Sequence, residues 1–203
     1  MTVTDVNVVK SAIFERPDDA NKGTLGSLLC VCGSYGMAGA AVMSAKGALR
    51  TGIGLAKCAL PRSIYPIVAQ TILESVYYPL SENADGRISK VNVPFLVSES
   101  CKSSATLVGC GLGVCDDTLK IVFSLIENSA TPLVLDADAL NCVAKQPEIL
   151  LRKKAPIIIT PHPGEMSRLT GLATPLVNAE RERVALDFAQ KYGVVTVLKG
   201  AGT

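Results

Sequence analysis

Short apolar runs alternate with segments of helical periodicity along this chain. The runs are continuous rather than alternating, and glycine, proline or charge bounds them, as expected of strands buried on both faces of a sheet. The predicted strands are 27–32, 54–60, 73–80, 106–109, 132–135, 156–159 and 194–198. This order predicts one α/β domain over residues 1–203, with a mostly parallel central sheet and helices on both faces.

Helical patterns fill the segments between these runs. Ala41, Ala45, Ala48 and Leu49 recur at helical spacing, which predicts a helix over 40–51 with small residues close to the sheet. Further helices are predicted at 93–101, around 119–126, over 137–145, from about residue 164, and from Thr174-Pro175 through Phe188.

The chain ends shortly after its last predicted strand. A parallel strand normally leads into a helix that covers the sheet, and no helix follows here before Thr203. We therefore expect the sequence to be a piece of a longer protein that lacks its C-terminal segment.

Composition is that of a globular protein without a strong charge bias. Hydrophobic residues make up 48%, charged residues 19%, and the formal net charge is +2. The sequence shows no secretory signal, no apolar run of membrane-spanning length and no basic stripe. We expect a cytoplasmic protein with neither a membrane nor a nucleic acid as partner.

The seven cysteines lack metal-site spacing. No Cys-x-x-Cys occurs, and His162, the single histidine, is distant in sequence from all of them. We interpret them as free thiols, mostly buried, of a reducing compartment.

Polar and glycine-rich segments follow the predicted strands. Because ligands of open α/β sheets bind at the carboxyl ends of the strands, these segments predict a shared crevice. They are Gly33-Ser34, Gly109 to Gly113, Asp136 to Asp138, Thr160 to Glu165, and Lys199 to Thr203.

Each segment has a chemical and a structural interpretation. Gly111 and Gly113 open a helix, where backbone N–H groups approach phosphates, or they form a tight turn; the segment lacks the Gly-Lys-Ser/Thr ending of a Walker loop. Asp136 and Asp138 suit a hydrated Mg²⁺, a substrate hydroxyl or helix capping, and we favour function for Asp136 and capping for Asp138.

Three further side chains are candidates for chemistry. His162 stands between two prolines and three residues before Glu165, which is a rigid setting for a catalytic group, although a single histidine also suits a structural role. Glu165 acts through Mg²⁺-bound water or caps the following helix. Lys199 neutralises a nucleotide phosphate or is a solvated lysine.

Taken in order, these motifs resemble the ADP-dependent NAD(P)H-hydrate dehydratases of the ribokinase-like superfamily. The resemblance extends from about Arg16 to Thr203. Its motifs are KGTLG at 22–26, MAGAA at 37–41, ALRTGIG at 48–54, GCGLG at 109–113, LDADALN at 135–141, TPHPGE at 160–165 and LKGAGT at 198–203.

The resemblance implies a ribokinase-like fold and a repair reaction. The (6S) hydrate of NADH or NADPH returns to the reduced cofactor while ADP, with Mg²⁺, yields AMP and phosphate. The His162 form of the motif is similar to the ADP-using branch, and a homo-oligomer, with a tetramer as its expected form, is also implied.

The resemblance also assigns roles to individual residues. His162, Glu165 and Asp136 are the expected catalytic residues, and Glu165 is the expected contact to the metal through water. The hydrate site is expected at Ala40, Gly111, Gly113 and His162, and the nucleotide phosphates at Lys199, Gly200, Ala201, Gly202 and Thr203.

This sequence departs from the family pattern in two places. Cys110 stands where the family usually has proline, and the Gly-Thr-Gly-Asp motif, whose aspartate is the expected base, does not occur. Two other interpretations therefore stay open: a ribokinase-like kinase for a vitamin or sugar, and a catalytically inactive nucleotide-binding fragment.

Overall fold

A single parallel sheet forms the centre of the molecule. The computed structural model describes Asn7, Lys10, residues 17–201 and Thr203. Within this part of the chain, neighbouring strands of one seven-stranded sheet all pair in parallel. The strands are β1 (Ser27–Val31), β2 (Leu55–Pro61), β3 (Val76–Leu80), β4 (Ala105–Val108), β5 (Leu133–Leu135), β6 (Ile157–Ile159) and β7 (Val195–Thr196).

Helices connect successive strands, as is usual for the crossovers between parallel strands. They are α1 (Ala38–Arg50), α2 (Tyr65–Thr71), α3 (Val93–Cys101), α4 (Asp116–Asn128), α5 (Asp138–Val143), α6 (Pro163–Thr170), α7 (Thr174–Ala179) and α8 (Arg181–Tyr192). In the described part of the chain, no helix combines the length and apolar character needed to cross a membrane.

Alternate side chains of β1 enter cores on opposite faces of the sheet. Leu29 and Val31 belong to a large core that takes in apolar side chains of α3 to α8. Cys30 and Cys32 belong to a second group, the small core, which is closed by α1 and α2. Helices therefore cover both faces, and the predicted α/β architecture is confirmed.

The strand order is β3-β2-β1-β4-β5-β6-β7. From β1 the chain first builds the sheet outward through β2 and β3, and it then returns to the other side of β1 with β4. Connections on the two sides of this reversal diverge, which leaves a crevice at the carboxyl ends of β1 and β4. The loops that begin at Gly33 and Gly109 lie at that crevice.

Several predicted boundaries are wrong. The strand predicted from Leu73 begins only at Val76, because the chain bends after α2, a helix that the sequence patterns did not predict. The strand predicted over 194–198 pairs only through Val195–Thr196, since the Val194 N–H still bonds to the end of α8.

The last predicted helix is also wrong in its extent. It is divided into α7 and α8 at Glu180, whose φ of −123° and ψ of 39° are not helical. Thr174 is the first residue of α7 rather than its N-cap; the N-cap position belongs to Ala173.

A matched pair of glycine substitutions tests the close packing at the crevice. Gly109 has φ +124°, and a Cβ there would lie 1.9 Å from the Asp136 carbonyl oxygen. We expect Gly109→Ala to lower the free energy of unfolding by at least about 2 kcal/mol. In contrast, a Cβ on Gly47 of α1 meets no atom within 4 Å, so Gly47→Ala should raise stability by about 0.5–1 kcal/mol.

Denaturant unfolding of the two variants beside the parent protein is the measurement. An unchanged midpoint for Gly109→Ala would contradict the packing described for this loop.

Candidate active site

The backbone hydrogen-bond ladder continues beyond the ends of the strands. Each loop donates an N–H to the strand or loop beside it, over distances of 2.8–3.2 Å. The donor and acceptor pairs are Gly109 to Val31, Asp136 to Val108, Thr160 to Leu135, Val197 to Ile159, and Lys199 to Pro161. The loops after β1, β4, β5, β6 and β7 therefore lie side by side at one edge, as the sequence predicted.

An ion-pair cluster occupies this edge. Lys199 Nζ lies 2.6 Å from Asp136 Oδ1 and 4.0 Å from Glu165 Oε2. Each of these residues comes from a different loop, after β7, β5 and β6 respectively. The Lys199 side chain remains 42% exposed, so its ammonium is held by carboxylates and is still accessible to an anionic ligand.

The pKa of the Asp136 carboxyl reflects opposing influences. Burial raises it, whereas hydrogen bonds from Lys199 and Thr160 and the nearby ammonium lower it, and the net result is a pKa below the usual value for aspartate. Asp136 is therefore ionised at neutral pH and acts as an anion at the site.

His162 and Glu165 hold each other at the start of α6. The His162 backbone N–H donates to Glu165 Oε2 at 2.8 Å, and the Gly164 N–H donates to His162 Nδ1 at 3.0 Å. The capping interpretation of Glu165 is thus confirmed. Because Nδ1 accepts a hydrogen bond, the imidazole presents its Nε2 edge, 3.3 Å from Glu165 Oε1, on a side chain that is half exposed.

Ala40 and Gly111 meet at the strand-order reversal. The Gly33 N–H donates to the Cys110 carbonyl, and the buried Ser34 hydroxyl donates to the Gly111 carbonyl, both at 2.8 Å. A Cβ on Gly111 would lie 2.6 Å from the Ala40 Cβ. The helix α1 and the loop after β4 can therefore approach this closely only because position 111 is glycine.

Gly113 and Asp138 contact each other. The Gly113 N–H donates to Asp138 Oδ2 at 2.8 Å, so this amide already has a partner within the chain. Asp138 is not the N-cap that the sequence predicted: Ala137, with φ 50°, occupies that position and Asp138 is the first residue of α5. Its carboxylate fixes the loop after β4 instead.

The segment after β7 forms a tight turn. The Gly200 carbonyl accepts from the Thr203 N–H at 3.3 Å and from the Thr203 hydroxyl at 2.6 Å. Lys199, Gly200, Ala201 and Thr203 lie together here, and Gly202 falls outside the described residues.

Two arginines near the glycine turns were not predicted. Arg181 donates to the Leu198 carbonyl at 2.7 Å, and its guanidinium lies 2.7 Å from where a Cβ on Gly200 would stand. The Arg87 side chain lies against Gly113 in the same way. Arg181 is the first residue of α8, and Arg87 lies in the loop after β3. Neither belongs to one of the motifs named above, so only the fold shows that they lie near these glycines.

Comparisons with known proteins show the family of this chain. The profile of the NAD(P)H-hydrate dehydratase family matches residues 28–203. A bifunctional NAD(P)H-hydrate repair enzyme of Thermofilum pendens is 38% identical over 188 residues, which are 93% of this chain and 36% of that protein. The chain thus spans about a third of the length of this curated relative.

Solved structures show the same fold. The ADP/ATP-dependent NAD(P)H-hydrate dehydratase of Bacillus subtilis, co-crystallised with ATP and Mg²⁺, superposes with a TM-score of 0.77 at 28% identity, over 96% of this chain and 65% of that one. A ribokinase-like superfamily protein of Enterococcus faecalis gives a TM-score of 0.73 at 21% identity, over 93% of this chain and 62% of that one.

The likeness to the Enterococcus protein concerns the fold alone. The predicted ribokinase-like architecture is confirmed by the superposition on the Bacillus dehydratase together with the parallel sheet. The family profile, in contrast, covers the strand-end loops that carry Asp136, His162, Glu165 and Lys199. The chain belongs to the NAD(P)H-hydrate dehydratase family.

Proposed function

We propose that this chain provides the site for ADP-dependent dehydration of the (6S) hydrates of NADH and NADPH. The observation that carries the proposal is the cluster of Lys199, Asp136 and Glu165 beside the reversal of strand order. It pairs the partly exposed Lys199 ammonium with the ionised Asp136 carboxylate and with Glu165, at the edge where α/β sheets bind nucleotides. Nicotinamide cofactor repair is the activity in the names of the relatives.

The chemistry requires a change of leaving group. Hydroxide leaves poorly from the hydrated ring, so the hydroxyl oxygen first attacks the β-phosphorus of ADP. The hydroxyl loses its proton to a base or to solvent, the O–P bond to AMP breaks, and AMP departs. The ring C–O bond then breaks, phosphate leaves with its electron pair, and loss of a ring proton restores the dihydropyridine. Phosphoryl transfer of this kind depends on positioning and charge neutralisation more than on covalent catalysis.

Lys199 is the proposed phosphate contact. Its ammonium is accessible, and a phosphate oxygen would compete with Asp136 Oδ1 for it. The turn that contains Gly200, Ala201 and Thr203 lies beside it, and the Arg181 guanidinium adds positive charge there. Backbone amides of this turn and Gly202 complete the proposed phosphate site.

The hydrate side of the site is proposed at Ala40, Gly111 and His162. Ala40 and Gly111 lie in contact at the reversal of strand order, and neither has a side chain longer than a methyl group. The His162 side chain is half exposed, with Nδ1 held by the Gly164 amide and Nε2 beside Glu165, so its ring is accessible to a substrate. We place Gly113 in a supporting role, since its amide is used by Asp138.

Mg²⁺ fits this site as an ion that arrives with the nucleotide. Among the described residues, no group of three metal-ligating side chains is arranged as a metal cage. Glu165 is 5% exposed and already accepts the His162 N–H, which suits a contact through a metal-bound water rather than direct ligation. When bound, the ion would neutralise phosphate charge; the chain contributes Glu165 and Asp136 as acceptors for its waters.

The remaining proposals concern location and assembly. We propose a cytoplasmic protein, in keeping with its free, mostly buried cysteines. We propose a homo-oligomer with a tetramer as its expected form, which light scattering of the purified protein tests directly.

The direct test of the proposed reaction supplies hydrated NADH with ADP and Mg²⁺ and follows the absorbance of reduced nicotinamide. It is run on this chain and on a longer natural form that carries the Gly-Thr-Gly-Asp motif, which this sequence does not contain. Recovery that requires ADP supports the proposal. Recovery by neither form, together with phosphorylation of another alcohol by ATP, would assign the site to a kinase.

Replacement of Lys199 tests the phosphate contact. We expect Lys199→Ala to weaken ADP binding by roughly tenfold to a hundredfold, because a charge-assisted hydrogen bond contributes about 1.5–3 kcal/mol. Calorimetric titration measures the change. Lys120→Ala, at an exposed lysine of α4, is the matched control and should leave affinity unchanged; equal affinities for both variants would remove Lys199 from the site.

Replacement of His162 separates substrate contact from capping. We expect His162→Ala to lower kcat/KM about tenfold through the loss of a substrate contact, and to lower stability by about 1 kcal/mol through the loss of a cap. His162→Ser should restore stability, since serine caps well, without restoring kcat/KM. If serine restores both, the ring acts only through the helix.

The lowered pKa of Asp136 predicts a pH dependence of stability. The stability gained from its ionised form is complete above the unfolded-state pKa of about 4, and it is lost as the pH falls through the lower native pKa. The unfolding free energies of the parent and Asp136→Asn should therefore converge below about pH 4. A constant difference across the acidic range would contradict the ion pair with Lys199.

A further inference from the structure

Four cysteine sulfurs gather on one face of the sheet, beneath the crevice. Cys30, Cys32 and Cys58 belong to the small core, and Cys110 packs against its edge. Cys30 and Cys58 are direct neighbours in the register of β1 and β2. Cys110 is the member that reaches the surface, since it is only partly buried.

Cys110 and Cys32 are brought together by the backbone. The N–H of Gly33, the residue after Cys32, donates to the Cys110 carbonyl at 2.8 Å. The Cys32 and Cys110 side chains pack in the same apolar group, and they lie close enough for each to shift the pKa of the other. The Cys110 sulfur also lies 3.6 Å from Asp136 Oδ2, so this thiol pair adjoins the ion-pair cluster.

The cysteines differ in reactivity. The interaction with the Cys32 side chain lowers the pKa of Cys110 below that of an ordinary thiol, although burial and the nearby Asp136 carboxylate oppose it. Burial raises the pKa of Cys30 and Cys58, and the interaction with Cys110 together with burial raises that of Cys32. Since the thiolate is the nucleophile, Cys110 is the member of the cluster that an oxidant can reach and that can react.

We propose that Cys110 and Cys32 are a modification site, at which a hydroperoxide converts the two thiols to a reversible disulfide. The Cys110 thiolate attacks the peroxide oxygen, the O–O bond breaks, and the departing hydroxide takes a proton to become water. The Cys32 sulfur then attacks the sulfenic acid, its S–H proton leaves with the hydroxyl as a second water, and the S–S bond forms. Two thiols and one hydrogen peroxide give one disulfide and two waters.

This bond would join β1 to the loop after β4 across the reversal of strand order. It would remove the Cys110 thiol from Asp136, the residue that holds Lys199. The modification itself requires no turnover, so it can be detected whether or not the proposed dehydration is correct.

Peptide mapping after treatment with hydrogen peroxide tests the proposal. Remaining thiols are alkylated, and the protein is digested with trypsin without reduction. The expected product joins peptides 23–46 and 103–120, weighs two hydrogen atoms less than their sum, and separates on addition of dithiothreitol.

Variants identify the sulfurs, because these peptides also contain Cys30 and Cys115. Cys110→Ser should reduce the cross-linked product by at least about tenfold, whereas Cys115→Ser and Cys30→Ala should retain it. In Cys32→Ala, which lacks the second thiol, dimedone should label Cys110 as the sulfenic acid. Circular dichroism confirms that each variant is folded.

Three results would overturn the assignment. The first is a cross-link that persists in a folded Cys110→Ser variant. The second is a product that joins 23–46 to the peptide 58–62, which carries Cys58. The third is absence of dimedone label on Cys110 in the folded Cys32→Ala variant.

Discussion

The position of the Lys199 ammonium depends on a backbone hydrogen bond. Its N–H donates to the Pro161 carbonyl, which extends the pairing of β7 with β6 past the end of the strands. The ammonium is then directed at Asp136, which follows β5. If this ladder ended with the regular strands, the cation and the carboxylates would belong to loops free to move apart, and the cluster would lose its geometry.

The ion pair also sets the electrostatic balance of the crevice. Asp136 is kept ionised mainly by the Lys199 hydrogen bond against the opposing effect of burial. Lys199 in turn stays partly exposed between two carboxylates. An incoming phosphate must therefore compete with Asp136 for the ammonium. Because the ammonium is already held in place and partly desolvated, binding of the phosphate costs less side-chain entropy.

The sequence predicted the strands well because a short, continuous apolar run is compatible with few structures other than a buried strand. Runs such as 156–159 are too short for a helix and too apolar for a loop. Polar residues at the ends of such runs then indicate a common edge. The sequence patterns could not predict which side chains contact each other. Asp136 and Lys199 are separated by 63 positions, and they meet only because of the order of the strands in the folded sheet.

The errors have related causes. Asp138 was predicted to cap its helix because aspartate favours that position, yet the Gly113 amide from a neighbouring loop takes its carboxylate. Arg181 escaped notice because nothing local distinguishes it from other helix-starting arginines. Cys110 was interpreted only as a free thiol at a departure from the family pattern, since sequence alone does not show that Cys32 packs in the same group. In each case a long-range contact decided the role of a residue whose local pattern had a simpler explanation.

A crystal structure of the chain with ADP and Mg²⁺ tests the central claim most directly. The account predicts the β-phosphate within hydrogen-bond distance of Lys199 Nζ, next to the turn at Gly200, with the bond from Lys199 to Asp136 lengthened. A nucleotide bound elsewhere, for example in the cleft between α6 and α8 lined by Phe188 and Tyr192, would contradict it.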